Sequence, residues 1–380
     1  MKRAFWGAAL LLLLFMPAAR GEGLDDSLSA ALDTLPLDAW QAAYDRAFPE
    51  GEDFRSLITH LARGERALDG ETLMRTLARR LLGALTASAW RMSRLLLPAV
   101  LCGVLARFRS AFARAALGEA LTGSCFLLLA GFMAQDLGDH MRLAQDAVTG
   151  MADLMQGLFP LLLTLLAAVG GTASSAFFQP AVVAACGTMT ALVRSLTLPL
   201  ALSSGLTAIL THLSPRIQIG RLSGFLRTAA SWTLGVSFTV FISVNALQSL
   251  GAAAADGVSI RAAKYAVDRF VPVVGGMFAD TMDTLVGASL LIKNAMGLTG
   301  LMLLLSAAAA PMIQTLCTVM LYRACAALLE PLTQGAAVAC MQDFSDVLML
   351  LFVIQLSVGA MFLLLVAQML VVGNLTVMLR

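Results

Sequence analysis

The residues whose types and spacing best suggest chemistry lie between Val271 and Asn294. Placed on a helix at about 100° per residue, Gly276, Asp280, Asp283, Gly287 and Asn294 fall in one stripe. Asp280 to Asn294 would then span about 21 Å. The glycines would let a second helix approach closely, and carboxylates at membrane depth must face protein or water. Three readings are open: a pore-facing or re-entrant helix opened by Pro272 and Gly275, a polar seam that fixes helix packing, and an interfacial helix whose acids meet water. Lys293 falls off the stripe and is expected to snorkel to a headgroup.

Other chemistries find little support. There is no GxxxxGK[ST] phosphate loop, no GxSxG elbow and no HExxH metal pair. The six cysteines, Cys102, Cys125, Cys186, Cys317, Cys325 and Cys340, lie in or beside apolar runs without a CxxC pair, so they read as small apolar residues. His60, His140 and His212 are far apart in the chain, and no further ligands gather beside any of them. The expectation is a protein that is not an enzyme and carries no metal or cofactor.

The elements that would position the stripe are membrane helices. Hydrophobic residues make up 59% and charged residues 13% of the 380-residue chain, and mean hydropathy is +0.82. Soluble domains average about 45–50% apolar and about 25% charged, so this chain has too little polar surface to cover a water-facing fold. The net charge of +2 gives no reason to expect a nucleic-acid partner.

Three regions follow. Residues 1–21 resemble an export signal, with Lys2 and Arg3 before an apolar run and a small-x-small site at Ala19-Arg20-Gly21. Residues 22–90 are acidic, and their leucines Leu57, Leu61, Leu68, Leu73, Leu77 and Leu81 recur near helical spacing, which suggests an exported helical cap. Residues 91–380 form a multi-pass membrane domain. Its candidate spans are Ser93–Phe112 (the weakest), Leu117–Ala134, Leu154–Ala173, Ala176–Val193, Leu196–Leu213, Thr228–Leu250, Phe270–Ile292, Leu298–Leu321 and Val347–Val372. The fold class is therefore an all-α polytopic bundle with about eight transmembrane helices.

Basic residues orient it. Arg107, Arg109 and Arg114 mark one cytoplasmic loop and Arg216, Arg221 and Arg227 a second, whereas Arg91, Arg94, Arg261, Lys264 and Arg269 would sit outside, against that bias. Asp136, Asp139, Asp146 and Asp153 read as an outside loop between two spans. The Gly170-Gly171 run suggests a tight helical hairpin. Asn245, Gln248, Gln355 and Gln368 read as interhelical packing groups.

Four stretches carry a resemblance. Ile260–Gly300, Val372–Arg380 (VGNLTVMLR), Leu158–Pro180 and Ala255–Arg261 resemble the stage III sporulation protein AE family of endospore-forming bacteria, in the same order along the chain from about Leu95. The resemblance implies a membrane component of the mother-cell/forespore channel complex, a secretion-like feeding conduit needed for endospore formation. It implies a place in the mother-cell membrane facing the forespore, with other stage III sporulation membrane proteins as partners. A stand-alone permease-like secondary transporter and a purely structural scaffold are the alternatives. The family brings no catalytic residues to carry over.

Overall fold

The computed structural model describes residues 37–48, 53–63, 78–79, 82–83, 97–101, 104, 115–213, 219–270, 275–331 and 336–378. The expected signal segment lies outside them, as do Pro272, Cys102 and nearly all of the Ser93–Phe112 span. Among the described residues the structure is helical with no strand.

Two short helices, α1 (Asp38–Ala47) and α2 (Phe54–Ala62), precede five long ones. These are α3 (Ala115–Ala168), α4 (Thr172–Leu213), α5 (Gly220–Phe270), α6 (Gly275–Leu329) and α7 (Ala336–Met378). Each of the five has a stretch long and apolar enough to cross a membrane. The eight expected spans map onto these five helices. Leu117–Ala134 and most of Leu154–Ala173 are one continuous α3, Ala176–Val193 and Leu196–Leu213 are one α4, and the described part of Phe270–Ile292 from Gly275 onward is continuous with Leu298–Leu321 in α6. With 54 and 55 residues, α3 and α6 run for about 80 Å, far beyond the roughly 30 Å of a bilayer core.

The acids Asp136, Asp139, Asp146 and Asp153 are therefore not in a loop, as the hydropathy suggested, but inside α3. The physical reason is amphipathicity. Leu137, Met141, Ala144, Val148, Met151 and Met155 recur every three or four residues and are buried, so the stretch packs as a helix despite its low average hydropathy.

The expected hairpin is present. Gly170 adopts a positive φ of 103°, and the Gly171 amide donates to the Leu166 carbonyl at 3.0 Å. A Cβ at Gly171 would sit 2.9 Å from Leu166, so both positions need glycine. Farther along, α4 contains two π-helical turns, Ala185–Met189 and Val193–Thr197.

Side-chain rungs fix the heights of the helices. At one end Tyr322 of α6 donates to Asp136 of α3 at 2.7 Å, and its ring packs 4.7 Å from Phe344 of α7. Beside this rung, His212 of α4 meets Asp343 at 2.8 Å, and Arg227 of α5 meets Asp346 at 2.9 Å. Arg323 donates to Ser345 at 3.1 Å and lies 3.5 Å from Asp346. The C-terminal end of α4 and the start of α5, which carries Arg221 and Arg227, are at this ionic end.

About 33 Å away along α6, Gly300 receives the Trp40 ring of α1, against Leu158 of α3. Trp40, Tyr44, Phe54 and Ile58 are buried there, so α1 and α2 form a cap at the opposite end of the bundle from the ionic rung. Leu57 and Leu61 pack on the same core, while the other cap leucines named above lie outside the described residues. Lys293 and Leu370 lie at the capped end too. The C-terminal end of α7 and the N-terminal cap thus share one end of the bundle.

Candidate functional site

The expected stripe lies on α6. Gly276, Asp280, Asp283, Gly287 and Asn294 all fall within its one continuous helix, which begins at Gly275. The side chains of Gly276, Asp280 and Asp283 lie outside the described residues. At Gly287 an added Cβ would meet open space. Asn294 is half-buried beside Lys293.

Lys293 departs from its expected place. It does not snorkel outward but is 1% exposed, and its ammonium donates to the main-chain carbonyl of Leu370 on α7 at 3.1 Å. The space it occupies exists because residue 373 is glycine: a Cβ there would collide with Lys293 Nζ and Cε. A second glycine, Gly297, lets Leu370 approach α6 in the same way. Small residues that admit a neighbouring backbone are the usual device for close helix contact in membranes.

Of the uncharged polar groups expected to pack between helices, Gln355 bonds to a neighbouring helix and Asn245 bonds within its own. Gln355 of α7 donates to the Thr315 hydroxyl of α6 at 3.2 Å, and that hydroxyl donates to the Pro311 carbonyl at 2.9 Å. Asn245 donates to the Phe241 carbonyl within α5 at 2.9 Å. Cys125, Cys186, Cys317, Cys325 and Cys340 are free and buried. No cluster of three or more metal-binding side chains occurs among the described residues.

The strongest site is one the hydropathy reading concealed. The outward-facing side of α3 carries Asp139, Arg142, Asp146 and Asp153, all exposed. None makes an ion pair among the described residues. Gly150 and Gly157 lie on the same side, and a Cβ at either would meet no atom within 4 Å. The order along this seam is Asp139, Leu143, Asp146, Gly150, Asp153, Gly157, Pro160 and Thr164, in alternating steps of four and three. That is the spacing of a helix face that stays against a neighbouring helix.

Its depth makes the seam informative. Gly205 of α4 abuts both Leu137 of α3 and Val347 of α7, and Gly359 of α7 abuts Met151 of α3 and Ala308 of α6. These contacts set Asp146 about 15 Å above the Asp136–Tyr322 rung. Over the same heights α5 exposes Trp232, Val236, Val240, Val244 and Leu247. One flank of the bundle is thus suited to lipid, while α3 shows charge at the same level. An ionised side chain at mid-membrane costs about 2.5–3.5 kcal/mol on insertion scales, so such groups face protein or a water-filled space.

The neighbouring α4 extends the polar surface. Arg194, in the second π turn, is exposed and lies near the height of Asp146. Such π turns often accompany functional sites. Toward the capped end, a groove of about 640 Å³ opens between α3 and α4, lined by Gln156, Pro160, Thr164, Ser175, Gln179 and Cys186. Pro160 and Thr164 continue the α3 seam into this groove. The sequence held a signal for this site: acids seven residues apart on a stretch whose intervening apolar residues are helically spaced.

Comparison with known proteins adds identity to this geometry. The family profile described as "Stage III sporulation protein AE (spore_III_AE)" matches residues 52–373. The "Stage III sporulation protein AE" of Bacillus subtilis (strain 168) is 28% identical over 367 residues, covering 96% of this chain and 92% of that protein. No solved structure matches. With most of its length matched, from the α2 helix of the cap to within the last turns of α7, the chain belongs to the stage III sporulation protein AE family.

Proposed function

We propose that this protein is a membrane subunit of the channel complex that joins mother cell and forespore, acting through assembly rather than catalysis. The family gives the sporulation role. The observation that carries the finer reading is the outward-facing charged seam Asp139–Asp146–Asp153 of α3, level with the exposed apolar face of α5. Lipid cannot cover that seam at acceptable cost, so the bundle is completed by protein or by a wetted path. A stand-alone transporter would bury such groups between its own helices.

The orientation follows from the ionic end. With the basic α4–α5 connection on the cytoplasmic side of the mother cell, the cap formed by α1 and α2 faces the space between the two membranes. The C-terminal end of α7 faces the same space. The N-terminal segment is then the exported part, placed to meet other stage III sporulation membrane proteins.

The test is thiol accessibility in sporulating cells. Single cysteines replace residues of α3 (Asp139, Asp146, Asp153) and of α5 (Val236, Val240) in a functional variant without the native cysteines. The expected pattern is a difference between the faces: α5 cysteines react only with membrane-permeant apolar reagents, whereas α3 cysteines are either protected by neighbouring protein or labelled by an impermeant reagent. A series over Gly275–Asn294 asks the same of the α6 stripe. If α3 cysteines behave like those on α5, and Asp→Leu changes leave spore formation intact, the subunit reading fails.

A further inference from the structure

The geometry points to a specific occupant for the α3 seam: a transmembrane helix of a partner subunit bearing Lys or Arg at seven-residue spacing. This rests on the reading of the chain as a subunit and names the chemistry of the neighbour.

Three observations select that chemistry. Asp139, Asp146 and Asp153 recur every seven residues, so all three present to one parallel or antiparallel neighbour. Gly150 and Gly157 recur at the same interval between and above the acids, with open space where their side chains would be. They let the neighbour's backbone approach closely, as small residues do in membrane helix pairs. The charge is unbalanced: the seam has three carboxylates, Arg142 on its flank is the one basic group of α3 near them, and α4 adds only Arg194 near the height of Asp146.

A second copy of this chain fits poorly. In a parallel two-fold pair each acid would face its own counterpart at the same depth, and like charges in a low-dielectric setting repel strongly. A basic helix meets the acids with opposite charge, the pairing that buried membrane ions adopt. Arg142 beside the seam penalises neighbours with a basic group at its height, so it sets the register.

The experiment uses the full-length chain with native cysteines replaced and a cysteine at Gly150. A designed single-span helix is produced with it: a leucine-rich segment bearing Lys at seven-residue spacing and one cysteine. Otherwise identical helices bear Leu or Glu in place of Lys. The expected result is a disulfide between G150C and the Lys helix, none with the Leu or Glu helices, and none from a control cysteine at Val240 on α5. Replacing Asp139, Asp146 and Asp153 together by Asn abolishes the crosslink. Should the cysteine variant fold poorly, retention of the Lys helix over the Leu helix by an affinity-tagged wild-type chain in mild detergent supplies the same answer.

Equal crosslinking or retention of the Lys and Leu helices overturns the inference. So does crosslinking of G150C to a second copy of itself. Labelling of G150C in sporulating cells by an impermeant thiol reagent means the seam lines water: the inference falls and the proposed subunit role stands. Reaction with apolar reagents alone, together with normal spore formation in the triple Asn variant, removes both.

Discussion

The Lys293–Gly373 contact yields a quantitative prediction. Gly373→Ala places a methyl where the Lys293 ammonium and its last methylene now sit. The lysine must leave the Leu370 carbonyl, or α7 must move away from α6. Losing a hydrogen bond from a charged donor costs about 1.5–3 kcal/mol. Overpacking a well-filled contact costs about 1–3 kcal/mol. Together they give an expected destabilisation of about 2.5–6 kcal/mol.

In a Lys293→Ala background the obstacle is gone, and the same Gly373→Ala change should gain up to about 1 kcal/mol, because alanine favours a helix over glycine. The double variant should therefore be more stable than the sum of the singles by at least about 2 kcal/mol, within the range seen for residues in direct contact. The assay is thermal unfolding of detergent-solubilised protein, read from exposure of the buried Cys325 and Cys340 to a fluorogenic thiol reagent. Additivity within about 0.5 kcal/mol would show that Lys293 does not occupy the Gly373 groove, and the account of the α6–α7 contact would be wrong.

Three further outcomes follow from the packing. Trp40→Ala empties the slot against Gly300 and Leu158 and should weaken cap docking by about 3–5 kcal/mol. Limited proteolysis should then release the cap while the long helices stay intact, and an unchanged digest would contradict the docking. Gly205→Val, with a Cβ 2.7 Å from Leu137 and 3.1 Å from Val347, should cost about 1–3 kcal/mol by wedging α4 from α3 and α7; thermal unfolding reads it. Asp346→Asn, by contrast, touches an Arg227–Asp346–Arg323 group whose side chains are 42–50% exposed, so its effect should stay within about 1 kcal/mol and shrink in high salt.

Much of the architecture was legible in the sequence, and particular residues show where it stopped being so. Composition alone demands a lipid-facing helical domain, and the Gly170-Gly171 pair marks its hairpin because only glycine suits the positive φ and the contact with Leu166. The continuity of α3 was hidden, because an average over about twenty residues sums Asp146 with Val148 and Met151 although they point to opposite sides. Long helices therefore read as pairs of short spans. The charged seam was hidden for the same reason, with its acids assigned to a connection. Lys293 looked like a surface lysine because nothing local foretells the groove that Gly373 provides some eighty residues later. The residues of the α6 stripe share one continuous helix, while the side chains of Asp280 and Asp283 lie outside the described residues.

The seating of Trp40 against Gly300 also imposes an order on biogenesis. The cap is made early and its receptor late, since about 260 residues separate the two and synthesis proceeds at roughly 5–20 residues per second. For about 13–52 s, then, Trp40, Tyr44, Phe54 and Ile58 have been synthesised but lack the surface that shelters them. The nascent chain must hold an aromatic cluster undocked until α6 is threaded. Newly made protein is consequently most open to proteases, holding chaperones and competing partner helices before its last two long helices are in place.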